Sequence, residues 1–206
     1  MSAPARALDD DAIHVHWRRR SHTDGRAPLL RVLGDYLALT TDAVPLRQAS
    51  ATAKPQLAPP FDWLCFNWSH SGPWAVIAVA RGLPLGVDVE HSGRPRDTLA
   101  IAQRFYAETE YAALATMEPT ARDAMFRRWW TIKEAVIKAC GSSLGRGLSQ
   151  VAIAVGDPGF SLTRAPLGDP SLWRVHSLAT PATDCDATLA WYGAPRRVVV
   201  CGAQAA

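Results

Sequence analysis

The sequence predicts an α+β protein, and three observations carry that expectation. Trp74 to Ala80 is an unbroken apolar run, and a short Gly-Leu-Pro connection joins it to the segment Leu85 to Glu90, a strand pair. Phe126, Trp129, Trp130, Ile132, Val136, Ile137 and Cys140 recur at helical spacing in one long segment. Beyond it come short alternating segments that read as strands. The order is strand, helix, strands, then helices and strands again. It divides near Ser92-Gly93-Arg94-Pro95 into an N-terminal half, 1–95, and a C-terminal half, 96–206. The two are expected to be similar α+β halves, although no repeat is visible in the residues themselves.

Residues 1–11 read as a frayed terminus. Ile13, Val15 and Trp17 alternate with His14, His16 and Arg18, the pattern of a half-buried strand. Leu29, Leu30, Leu33 and Leu37 predict a helix over 26–39, with Pro28 tolerated in its first turn. Residues 42–60, rich in Pro, Ala and Thr, read as irregular. Leu64 and Phe66 begin a strand that gives way to a turn over 67–73. Two helices are expected over 97–105 and 108–117, stopped at Met117-Glu118-Pro119. Thr120 and Asp123 resemble a capping box for the long helix, and Gly141 can end it. Val151–Val155, Phe160–Thr163, Leu172–Leu178, Thr188–Tyr192 and Arg197–Cys201 read as strands.

Of the 206 residues 48% are hydrophobic and 20% charged, so a core can form and disorder is excluded. The net charge of +3 suits an anionic small molecule or an acidic protein partner. No dense basic stripe is present, which argues against nucleic acid. No apolar run approaches the ~20 residues of a membrane span. Cys65, Cys140, Cys185 and Cys201 are scattered, as expected for reduced thiols in a cytoplasmic protein.

The chemistry lies in three blocks. On strand geometry Gly86, Asp88 and Glu90 share one face while Val87 and Val89 share the other. Both carboxylates can then meet in a cleft, with Gly86 leaving the strand open to a ligand. A surface strand with a wet polar face has the same alternation, but two like charges on a central strand call for a cation. On the long helix, Glu134 lies beside Lys133 and four residues before Lys138. That spacing also describes an ordinary solvated ion pair. Ser69-His70-Ser71 offers hydroxyl, imidazole and backbone donors to a phosphate. No G-x-S-x-G elbow supports a hydrolase. Lys54-Pro55 precedes this segment.

Taken in order, Lys54-Pro55, Asn67-Trp68-Ser69-His70-Ser71, Gly86-Val87-Asp88-Val89-Glu90 and Trp130-Thr131-Ile132-Lys133-Glu134-Ala135-Val136-Ile137-Lys138 resemble the Sfp-type 4′-phosphopantetheinyl transferases. The resemblance spans residues ~54–148 and includes Gly145-Arg146-Gly147-Leu148; Ala53 stands where the family often has Gly. It implies two pseudo-symmetric halves with the active site between them. It implies transfer of the phosphopantetheine arm of coenzyme A to a serine of an acidic acyl or peptidyl carrier protein, releasing adenosine 3′,5′-bisphosphate. The same resemblance makes Asp88, Glu90 and Glu134 the Mg²⁺ ligands. Lys133, Lys138, Ser69, His70 and Lys54 become contacts to coenzyme A, with Arg26 on the adenine side and Arg31 the second choice. Glu134 or a metal-bound water is the expected base. A monomer is expected. The competing reading is a non-catalytic module that binds coenzyme A or a carrier protein.

Overall fold

The computed structural model describes residues 8–48, 54–93, 96–141 and 147–201; Ala53, Arg94, Pro95, Gly145 and Arg146, singled out above, lie outside them. Strand β1 (Ala12–Arg19) is followed by helix α1 (Ala27–Leu37) and two short strands, β2 (Leu46–Arg47) and β3 (Gln56–Leu57). Then come β4 (Leu64–Ser71), β5 (Trp74–Arg81) and β6 (Leu85–His91). Helices α2 (Thr98–Phe105), α3 (Glu108–Ala115) and α4 (Pro119–Ala139) form the middle. The chain continues through β7 (Ala152–Ile153), β8 (Leu162–Arg164), β9 (Trp173–Ser177), β10 (Cys185–Tyr192) and β11 (Arg197–Val200).

Two main sheets form, ordered β11-β1-β5-β4 and β6-β10-β9. Every pairing in them is antiparallel except β1 with β11. The sheets pack face to face. Ile13, Val15, Trp17, Val76, Ala78 and Ala80 of the first meet Leu85, Val87, Val89 and Leu189 of the second. Helix α1 covers the outer face of the first sheet, where Leu29 and Leu33 pack on Ile77 and Val79. Helix α4 covers the outer face of the second. Strand β5 is therefore buried on both faces, which explains its continuous apolar run. Strands from before and after residue 95 pair with each other: β6 with β10, and β11 with β1. No helix among the described residues is long and apolar enough to cross a membrane.

The α+β class is as expected, and four local readings are corrected. Strand β4 runs on through Ser71, so only Gly72-Pro73 turns. The cause is its full pairing with β5, Ser69 opposite Val76 and Ser71 opposite Trp74. Asp123 does not cap α4, which opens at Pro119; its carboxylate accepts from Thr98 Oγ at 2.9 Å and ties α2 to α4. His14 and His16 are buried, because α1 covers the face on which they stand. Gly86 does not leave room for a ligand. A Cβ there would strike the backbone carbonyl of Ala135 on α4. That contact lets α4 lie flat on β6 and brings Glu134 and Lys138 to the strand acids. Gly86→Ala is therefore expected to cost about 1–3 kcal/mol of stability, because a helix backbone cannot yield as a side chain can. It should also lower activity. Urea unfolding beside a transfer assay checks both, and unchanged stability would contradict this packing.

Candidate active site

Strand β6 is the edge of its sheet and would present unpaired backbone groups. Side chains satisfy several of them. Val87 N donates to Asn67 Oδ1 at 2.9 Å, and His91 N donates to Ser71 Oγ at 3.0 Å. Lys54 Nζ donates to Leu85 O at 2.9 Å, and Lys138 Nζ lies 3.4 Å from Val87 O. Asn67, Ser69 and Ser71 alternate along β4 and so face one side. The Asn-x-Ser-x-Ser spacing thus sews β4 to β6 through side chains.

The same seam holds the acids. Asp88, 4% exposed, takes Lys138 Nζ at 2.6 Å and the Ser69 hydroxyl at 2.7 Å, both on Oδ1. Its other oxygen, Oδ2, is buried with no hydrogen-bond partner. Lys138 also donates to Ser69 Oγ at 3.0 Å. Lys138 therefore spends its charge on Asp88 and not on a helical pair with Glu134. Glu90 accepts from Ser71 Oγ at 3.2 Å and pairs with Arg96 at 3.1 Å. The Arg96 guanidinium lies over the Trp130 ring, 5.6 Å from its centre. Glu134 is 3% exposed. Burial, then the charges of Asp88 and Glu90, push its carboxyl up to about 8 against the pull of Lys138. Three carboxylates thus share one field. Among the described residues they are not one of the trios whose donor atoms lie within 4.8 Å of one another. The guanidinium of Arg96 and the hydroxyl of Ser71 hold the Glu90 carboxylate.

The other expected residues divide. Ser69 sits inside the acid cluster, while His70 is exposed, its ring 5.2 Å from that of Trp68. Lys54 lines a cavity of about 280 Å³ with Arg47, Asp62 and Cys65. Arg26 is exposed at the start of α1 and donates to Gln48 at 2.6 Å, next in sequence to Arg47. Arg31 is exposed on α1. A second cavity of about 370 Å³ opens beside the acids, lined by Glu90, His91, Arg96, Asp123 and Arg127.

Lys133 is corrected. It is fully buried on the opposite side of α4, paired with Glu110 at 2.9 Å, bonded to Val151 O and 4.7 Å from the Tyr106 ring centre. Burial lowers its pKa while Glu110 opposes the fall. Glu110, also fully buried, accepts from Ala107 N at 2.7 Å and Ile153 N at 2.8 Å. One ion pair therefore binds α3, α4 and β7. Sequence reasoning missed Glu110, Arg96 and Arg47. Only Glu110 left a signal, three residues after the residue that precedes α3 and so placed to cap it.

The chain is similar to several known proteins of one kind. The 4′-phosphopantetheinyl transferase HetI of Nostoc sp. is 34% identical over 139 residues, 66% of this chain and 58% of that protein. The 4′-phosphopantetheinyl transferase psf-1 of Bacillus pumilus is 40% identical over 101 residues, 49% and 42% of the two chains. The L-aminoadipate-semialdehyde dehydrogenase-phosphopantetheinyl transferase of Xenopus laevis is 30% identical over 141 residues, 64% and 46%. In these alignments the chain spans about half the length of the curated relatives it matches. The description of the 4′-phosphopantetheinyl transferase superfamily matches residues 84–190, which include β6, α4 and most of β10. With half its length so matched, the chain belongs to the 4′-phosphopantetheinyl transferase superfamily.

Proposed function

We propose that this protein transfers the phosphopantetheine arm of coenzyme A to a serine of an apo carrier protein in a Mg²⁺-dependent reaction. The observation that carries this reading is the convergence of Asp88, Glu90 and Glu134 on one seam, with Lys138 beside them. Lys54, Ser69, Asp88 and Glu90 come from the half 1–95, Glu134 and Lys138 from the half 96–206.

The residues fit a hard divalent cation. All three are oxygen donors, Asp88 Oδ2 is a buried acceptor without a partner, and burial, then the acidic neighbours, hold Glu134 from ionising. Asp88, Glu90 and Glu134 would hold the ion. When bound, it would draw charge from the diphosphate oxygens of coenzyme A. Lys138, already fixed by Asp88 and Ser69, adds a positive charge at the same place. In the transfer, the carrier serine oxygen bonds to the phosphorus that bears the pantetheine. The bond from that phosphorus to the bridging oxygen breaks, and adenosine 3′,5′-bisphosphate leaves. The serine proton passes to Glu134 or to water.

Lys54 and His70 are assigned to the nucleotide phosphates, with Arg47 added from the cavity it shares with Lys54. Arg26 is assigned only to the outer edge of that region. An acidic carrier surface suits the Arg96 and Arg127 side of the second cavity. A cytoplasmic setting suits the unpaired thiols. A monomer completes the reading.

The test is mass spectrometry of several apo carriers incubated with the protein, coenzyme A and Mg²⁺. The carriers should gain the arm on serine. No gain on any of them, with coenzyme A still bound, would favour a binding module.

Lys54 gives a pH prediction. Burial lowers its amine to about 8, against the pull of Cys65 and with a smaller contribution from Lys138. Its charge is present below that pH and lost above it. The kcat/KM for coenzyme A should therefore fall as pH rises through about 8, and Lys54→Arg should move the fall upward. Stability moves the other way. Between about 8 and the ordinary lysine value of 10.5 the unfolded chain binds more protons, so this group favours folding as pH rises. A fall that coincides with unfolding would contradict the assignment.

A further inference from the structure

A second group of donor side chains lies on the outer face of the first sheet. His14 and His16 alternate on β1 and stand opposite Val79 and Ile77 of β5, residues that pack under α1. Ser69 stands opposite Val76, on the inner face. The two histidines and the acid seam are therefore on opposite sides of one sheet.

His14 is 1% exposed and His16 is 3% exposed. His14 Nδ1 is 2.7 Å and His16 Nε2 is 2.8 Å from the hydroxyl of Tyr36, which α1 points into the sheet. Strand β11 runs parallel to β1, and Cys201 N donates to Val15 O at 2.8 Å. That pairing brings in the Cys201 thiol. The ligand atoms of His14, His16 and Cys201 lie within 4.8 Å of one another.

Two imidazoles, a thiol and a phenol are an unusual group to surround with Leu29, Leu33, Ile77 and Val79. The Tyr36 hydroxyl can donate to one ring and accept from the other, but His16 Nδ1 is buried with no hydrogen-bond partner. Burial keeps the His16 ring neutral, the form that ligates a metal. Burial holds the Cys201 thiol and the Tyr36 hydroxyl in their protonated forms, and Arg18, next on the same strand face, opposes that.

We propose that His14, His16 and Cys201 bind a zinc ion, with Tyr36 as fourth donor. Zn²⁺ takes four donors in closed structural sites, and two imidazole nitrogens and a thiol sulfur are three of its preferred kinds, with the Tyr36 oxygen completing the four. Tetrahedral Zn–N and Zn–S bonds separate ligand atoms by about 3.3–3.8 Å, so the cluster needs only a small rearrangement. Cys201 and Tyr36 each release a proton to water as they ligate, and thiolate plus phenolate balance the ion's charge. The ion pins β11 to β1 and α1 and takes no part in transfer.

A competing trio, His91, Asp184 and Cys185, also has donor atoms within 4.8 Å of one another. It is less suited. His91 Nδ1 accepts from Gly93 N at 3.1 Å, so Nε2 carries the ring proton that faces Asp184 at 2.9 Å. No lone pair is left for a metal.

The experiment titrates tag-free, demetallated full-length protein with Co²⁺, then displaces it with Zn²⁺, and counts zinc by native mass spectrometry. One Co²⁺ should give the strong visible bands of a tetrahedral site and a thiolate charge-transfer band. Zn²⁺ should abolish both and raise the thermal midpoint. Cys201→Ser should lose the charge-transfer band and weaken zinc by about 100-fold. It is the informative variant, because Cys201 is only partly buried at the end of the described chain. His14→Gln should weaken binding similarly, and Cys185→Ser should change nothing. No tetrahedral spectrum on folded protein would overturn the proposal. So would binding that survives Cys201→Ser and fails in Cys185→Ser.

Discussion

Glu90→Gln should lower turnover by about 100- to 1000-fold, the effect of removing several kcal/mol of transition-state charge stabilisation. Stability should change by less than about 1 kcal/mol. The two expectations have one cause. Glu90 is partly exposed, and glutamine keeps its shape and its bond from Ser71. The substitution also removes one of the charges that push Glu134 upward, so folding loses little. What is lost is a hard anionic donor on the strand face it shares with Asp88. Steady-state transfer kinetics beside urea unfolding separate the two effects. Undiminished turnover would remove Glu90 from the metal-binding set.

Lys133→Met should have the opposite profile. Glu110 would be left as a buried charge with two backbone donors and no cation. Breaking a buried pair from one side costs about 3–5 kcal/mol. The double variant Glu110→Gln, Lys133→Met should recover most of that loss, since neither charge then remains. The apparent affinity for coenzyme A should be unchanged wherever the protein is folded. Lys138→Met, by comparison, should spare more stability than activity, because its partner Asp88 keeps the Ser69 bond. A Lys133→Met protein of native stability that no longer binds coenzyme A would reverse the assignment of Lys133.

These paired expectations show what could be read from the sequence and what could not. Asp88 and Glu90 were legible because a strand's period of two needs no tertiary information. Glu134 and Lys138 were legible because four residues bring side chains to one side of a helix. Lys133 was misplaced because adjacent helical residues point about 100° apart. It belongs with Trp129, Val136 and Ile137 on the buried stripe of α4. Its partner Glu110 is 23 residues earlier, on a different helix, and no local pattern links them. Gly86 was correctly marked as special but for the wrong neighbour, since periodicity cannot say which element lies across a face. For the same reason the burial of His14 and His16 was not visible: alternation marks two faces without saying that α1 covers the second.

The central claim is that one divalent ion joins acids from a strand and a helix. The most direct measurement is the anomalous scattering of Mn²⁺ in crystals of the protein soaked with coenzyme A. The expected result is a single manganese peak touching Asp88, Glu90 and Glu134 and the diphosphate, with Glu90 turned away from Arg96. A diphosphate bound with no ion among these three carboxylates, or an ion held elsewhere on the chain, would contradict it.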